Sequence, residues 1–164
     1  MVKHKILPIP HAEVGEVLGL ADTLYGYRCK TKVSFLADEL QIDIDDLGEV
    51  VDMAKLLGVV ATRKGVINLT LFGEALSLGT IDNKKKILRE KMLKVEPFKS
   101  IIVILRKAGG KMERDELIDV LSRKFLVEDR AMFLKLVINW GNYTESFEYD
   151  SDDETFVLSP HLKL

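Results

Sequence analysis

Apolar and polar residues recur along this chain with helical periods, broken twice by short β-branched runs around a turn. Pro8 and Pro10 hold the N-terminal arm extended, because residues before proline avoid helical backbone. Val14, Leu18, Ala21 and Tyr25 fall at helical spacing and predict a helix over residues 11–25. A short helix follows over residues 33–40, with Phe35, Leu36 and Leu40 apolar. Gln41 and Ile42 make a turn. Asp43 then reads as an N-cap, and Ile42 and Leu47 are placed as a hydrophobic staple. Leu47, Val50, Ala54 and Leu57 line one face of the next helix, and Gly58 stops it. Val59 to Thr62 and Val66 to Leu69, joined by Arg63-Lys64-Gly65, read as a hairpin. Thr70 caps a helix over residues 71–78, closed by Gly79.

The same grammar then repeats. Residues 82–95 form a basic amphipathic helix. Pro97 begins another helix whose core face is Phe98, Ile101, Ile102 and Leu105, ended by Gly109-Gly110. Residues 112–125 read as a helix carrying Leu117, Ile118, Leu121 and Phe125. Residues 128–143 read as the next, carrying Phe133, Leu134, Val137, Ile138 and Trp140. A second hairpin pairs residues 147–149 with 155–158 across an acidic turn. The fold class is therefore mainly α with small β-hairpins (α+β), as two tandem winged-helix-like units over residues 7–79 and 80–160. The halves share element order rather than residues, and two units are too few for a solenoid.

Composition adds limits. The 164 residues are 47% hydrophobic and 30% charged, with a formal charge of -2, so no global field draws the chain to nucleic acid or membrane. The single Cys29 leaves no intramolecular disulfide. No apolar run reaches the roughly 20 residues of a membrane span. Residues 1–8 lack the pattern of a signal peptide, so the expected location is the cytoplasm. Phosphate-loop spacing is missing, and Gly109-Gly110-Lys111 is a helix terminator. His4, His11 and His161 have no ligand partners at metal spacing. Ser34 and Ser122 have no visible base. Cys29 lies between Arg28 and Lys30 but reads as a structural thiol. The acidic turn Asp150 to Glu154 lacks the spacing of a calcium loop. No catalytic residue, cofactor site or metal site is expected.

Charge decides between the partners such a layout allows. A winged helix that reads DNA sets the second helix of its turn motif in the major groove, with Lys and Arg against phosphates. Here that helix presents Asp45, Glu49 and Asp52 at i, i+4 and i+7, with Met53 and Leu56 beside them. This stripe repels phosphate and suits a protein partner. Residues 1–79 hold 8 Lys/Arg against 11 Asp/Glu, a net of -3. The remaining residues hold 16 against 15, a net of +1. The alternative, a DNA-binding regulator, would rest on Arg63, Lys64, Lys85 and Arg89. The run from Lys84 to Lys94 would suit an anionic partner or the acidic half of a second copy, so a homodimer is allowed, although a solvated helix face is the plainer account.

The most individual stretch is Trp140-Gly141-Asn142-Tyr143-Thr144-Glu145-Ser146-Phe147-Glu148-Tyr149-Asp150, a helix end anchored by aromatics and turned into a strand. It resembles the C-terminal AAA-associated domain that follows the ATPase domain in nitrate/sulfonate/bicarbonate-type ABC transporter proteins, where the tract looks like W-G-R-Y-A-E-L-F-x-Y-D. The likeness extends to Leu36-Ala37-Asp38-Glu39-Leu40, Asp45-Asp46-Leu47, Ala54-Lys55-Leu56-Leu57-Gly58 and Leu69-Thr70-Leu71-Phe72-Gly73. It covers about residues 7–158. The ATPase part has no counterpart in this sequence, so ATP binding does not carry over, and the family's Arg is Asn142 here. The resemblance implies a non-enzymatic accessory or regulatory module that meets an ABC-type ATPase as a separate chain. Asp45, Glu49, Asp52, Met53 and Leu56 are the expected contact residues.

Overall fold

Local capping sets where each element begins. The computed structural model describes residues 7–162; His4 and the rest of residues 1–6 lie outside the described residues. Helix α1 (Val14–Gly26) starts later than its periodicity suggests, because Glu13 and Glu16 form a reciprocal capping box. Its buried face is Val14, Val17, Leu20, Ala21 and Leu24. The expected stripe through Leu18 and Tyr25 is out of phase: Leu18 is half-buried and Tyr25 exposed.

Strand β1 (Lys30–Lys32), which the apolar pattern does not predict, leads into α2 (Val33–Leu40). Phe35 is not core: it is 43% exposed and meets Tyr27 edge-on at 5.4 Å. Asp43 caps α3 (Ile44–Leu56) by accepting from the Asp45 amide at 2.8 Å. Gly58, with φ +73°, follows the helix end as expected for a C′ glycine. Strands β2 (Val60–Arg63) and β3 (Val66–Leu69) form the hairpin around Lys64 and Gly65, both at positive φ, the signature of a two-residue type I′ turn. Thr70 caps α4 (Leu71–Leu78) through the Gly73 amide, and Thr80 accepts from the Asn83 amide at the start of α5 (Ile81–Met92).

The order helix, strand, helix, helix, hairpin then recurs as α6 (Phe98–Lys107), β4 (Lys111–Glu113), α7 (Arg114–Leu121), α8 (Arg130–Thr144), β5 (Phe147–Asp150) and β6 (Thr155–Leu158). A 3-10 turn, Pro160–Leu162, follows. The expected helix over residues 112–125 begins instead at Arg114. Lys111–Glu113 are paired with β6, and Glu113 becomes the N-cap. Both sheets are antiparallel with the late strand in the centre, β1-β3-β2 and β4-β6-β5. The protein is thus mixed α+β, with eight α-helices and two three-stranded sheets among the described residues.

Contacts gather the chain into two units. One is Pro10–Ile87, and the other joins the described parts of Met1–Ile9 and Leu88–Leu164. In the first, α1 packs on α3, α4 and β3. In the second, α6 packs on α7 and β6, and α8 on β5. Its centre is Trp140, with Phe98 at 5.2 Å between ring centroids, and the Phe147–Phe156 pair at 6.1 Å. The aromatic tract is therefore core. Leu7 joins this unit by a parallel bridge to Phe125: its amide donates to the Lys124 carbonyl at 3.0 Å, and its carbonyl accepts from Leu126 at 2.9 Å.

The corner after the first helix is the same in both units. The Cys29 amide donates to the Leu24 carbonyl at 2.7 Å, as Gly110 does to Leu105 at 2.7 Å. The Cys29 carbonyl then accepts from Leu69 at 2.7 Å, as that of Gly110 accepts from Leu158 at 2.7 Å. Both corners need two left-handed residues. The second unit uses Gly109 and Gly110, and the first uses Arg28 (φ +58°) and Cys29 (φ +69°). A side chain in that region costs about 1–2 kcal/mol.

Arg28→Gly is therefore expected to stabilise the protein by about 0.5–1 kcal/mol in urea unfolding, after the glycine entropy term is subtracted. Gly141→Ala should act oppositely. Its Cβ would lie 2.2 Å from the Phe147 ring, and we expect a loss of about 1–3 kcal/mol.

Candidate protein-contact surface

The surface is built on α3 and the corner before it. Leu47, Val50, Val51, Met53 and Ala54 turn inward. Met53 is fully buried, which corrects its expected place in a contact patch. The apolar arc of α3 is wider than the single stripe read from the periodicity, and Met53 falls inside it. Asp45 and Asp52 are exposed, and Leu56 is 47% exposed, so these three remain at the surface. Gly48 lies between the two acids with open space above it. Lys55 sits three residues after Asp52 and is the one cation of α3.

Glu49 has a structural job. Its Oε2 accepts from the backbone amide of His11 at 2.7 Å, in a part-buried site that ties the entry to α1 onto α3. The apolar half of the surface comes from elsewhere. Leu40, Ile42 and Ile44 are each partly exposed at the α2–α3 corner. Behind them, Leu40, Ile42, Leu47 and Val50 face Leu20 and Gly19 of α1 across an apolar groove of about 270 Å3. Ile42 and Leu47, the expected staple, thus share one groove wall. Sequence reading assigned Ile42 only to helix capping. Its role at the surface depends on α1, which is far away in the chain.

Two of the four cations expected for nucleic acid, Lys85 and Arg89, are already engaged. Arg63 and Lys64 are exposed at the β2–β3 turn. Arg89 is turned into its own unit: it donates to the Thr144 carbonyl at 3.0 Å and lies 3.8 Å from Glu145, with its side chain 19% exposed. Lys85 is half-buried and already engaged. The acidic turn is also accounted for locally. Asp150 accepts from the amides of Asp152 and Asp153, while Asp153 pairs with Lys111 and Glu154 with Arg114.

Cys29 donates its thiol proton to Glu74 at 3.1 Å. That hydrogen bond, with desolvation and the carboxylate charge, raises the thiol pKa, so Cys29 is held protonated. Among the described residues no group of three His, Cys, Asp or Glu is placed to hold a metal ion, and no helix is long and apolar enough to cross a membrane.

The chain belongs to the C-terminal AAA-associated domain family, whose model matches residues 35–150. That span runs from α2 into β5 and includes both the α3 surface and the Trp140 tract. Searches of curated proteins and of solved structures give no match.

Two outcomes follow from the side-chain roles. Glu49→Ala should cost about 1.5–3 kcal/mol of stability by urea denaturation, as expected for a charged hydrogen bond, whereas Asp52→Ala should stay within about 0.5 kcal/mol. Iodoacetamide should label Cys29 slowly at pH 8, and Glu74→Gln should accelerate labelling by removing the acceptor charge; an unchanged rate would show that Glu74 does not set the thiol pKa.

Proposed function

We propose that this protein is a non-enzymatic accessory module that regulates an ABC-type ATPase by binding it. Membership of the AAA-associated family supports the class of partner. The observation that carries the reading is the solvent face of α3, where Asp45 and Asp52 stand beside exposed Leu56 and the Ile42/Ile44 corner. Acid flanking apolar side chains suits a basic-rimmed protein surface and repels phosphate. We read each helix–strand–helix–helix–hairpin unit as a winged helix, and in the first unit the recognition helix as given over to protein contact. A DNA-binding regulator would have to work without that helix, since the first-turn acids oppose the duplex. Cytoplasmic location follows from this partner.

The test is capture of purified ABC-type ATPases from the source organism on the immobilised chain. Asp45→Lys with Asp52→Lys should reduce capture about tenfold at low salt. The same pair should cost no more than about 1 kcal/mol, because Asp45 lies in the first turn of α3 and complements its dipole. Retention that is unchanged by the reversal would place the contact elsewhere, and no retention of any such ATPase would remove the partner class.

A further inference from the structure

The outward face of the first sheet carries a charge that its topology does not require. Register places Lys32, Val66 and Arg63 in one row across β1-β3-β2, and Lys30, Asn68 and Ala61 in another. The intervening row, Thr31, Ile67 and Thr62, contains the fully buried Ile67 and so faces the core. The outward rows therefore hold three cations and no acid, and Lys64 adds a fourth at the turn. All four are exposed, and among the described residues none of them makes a salt bridge.

The second sheet is an internal control. The rows at the same register are Lys111, Val157 and Glu148, then Glu113, Thr155 and Asp150, with Thr155 itself buried. The same register positions thus carry one cation and three acids. A basic face is a property of the first unit, not of the fold.

Phe35 lies beside this face. It lines the same shallow concavity, about 420 Å3, as Lys30, Lys32 and Val66. Its ring is braced edge-on by Tyr27 with an interplanar angle of 86°, which leaves it 43% exposed. Cations on an exposed sheet face beside a braced aromatic ring match the recognition of single strands, in which phosphates meet Lys and Arg and an unpaired base stacks. A duplex hides its bases from such a ring, and an acidic protein has no need of it. We propose that the outward face of β1-β3-β2 binds single-stranded nucleic acid. Lys30, Lys32, Arg63 and Lys64 contact phosphates, and Phe35 stacks on a base. The site is separate from the α3 surface, so either can fail without the other.

The test is anisotropy of a labelled oligothymidine strand titrated with the full chain, beside a duplex of equal length and polyglutamate. With four phosphate contacts the log–log salt slope should be about -2.8, a loss of about fiftyfold between 50 and 200 mM salt. Arg63→Gln should lower the slope by about 0.7, and Phe35→Ala should weaken binding about tenfold, with circular dichroism unchanged in both. No binding at 50 mM salt, an unchanged slope in Arg63→Gln, or affinity for duplex or polyglutamate equal to that for the strand would each overturn the proposal.

Discussion

Each unit depends on a left-handed corner at the end of its first helix. A helix that ends with two residues at positive φ closes its own last carbonyls and reverses direction within a few ångströms. The reversed chain is then delivered to the open edge of the hairpin's late strand, which pairs with it and becomes the central strand of the sheet. Once β1 or β4 is paired, the start of the next helix is set, because Val33 donates to Gly65 and Arg114 to Glu154 from equivalent places. The helix pair and the hairpin are thereby held to one geometry. Glycine takes this corner at little cost in one unit, while Arg28 and Cys29 take it under strain in the other.

Signals that lie within a few residues of each other were legible from the sequence. Asp43 and Thr70 act as caps where the chain predicts them, and Gly65 falls at the turn of the first hairpin. Phe98, Ile101, Ile102 and Leu105 are the buried face of α6 as read from their spacing. Strands β1 and β4 were not legible. Each has three mostly polar residues, and each is stabilised by a partner strand more than thirty residues onward. The contact surface shows the same division. Asp45 and Asp52 are outward as their spacing says, but Glu49 is bound to an amide 38 residues away, and no periodicity records that. Met53 was misplaced because a helix packed on more than one neighbour buries a wider arc than one stripe.

Charge is where the two units part company. They share element order, strand register and corner hydrogen bonds, yet their outward sheet faces have opposite sign. Surface positions of this kind contribute little to stability, so a repeated architecture can hold its core and vary its faces independently. The first unit is divided further, with acid along α3 and base across its sheet. Net charge averages these to almost nothing, which is why the composition of the chain says so little about its partners.

The parallel bridge from Leu7 to Phe125 bears on how the protein is made. Residues near the start of the chain belong with residues that are synthesised more than a hundred positions later. In sequence the unit of Pro10–Ile87 is an insertion, and all of its residues leave the ribosome before the other unit is complete. It can fold early and close its own loops. The unit that holds Leu7 has to wait for Phe125 before this bridge can form, a loop closure over a long intervening segment that is slow to find.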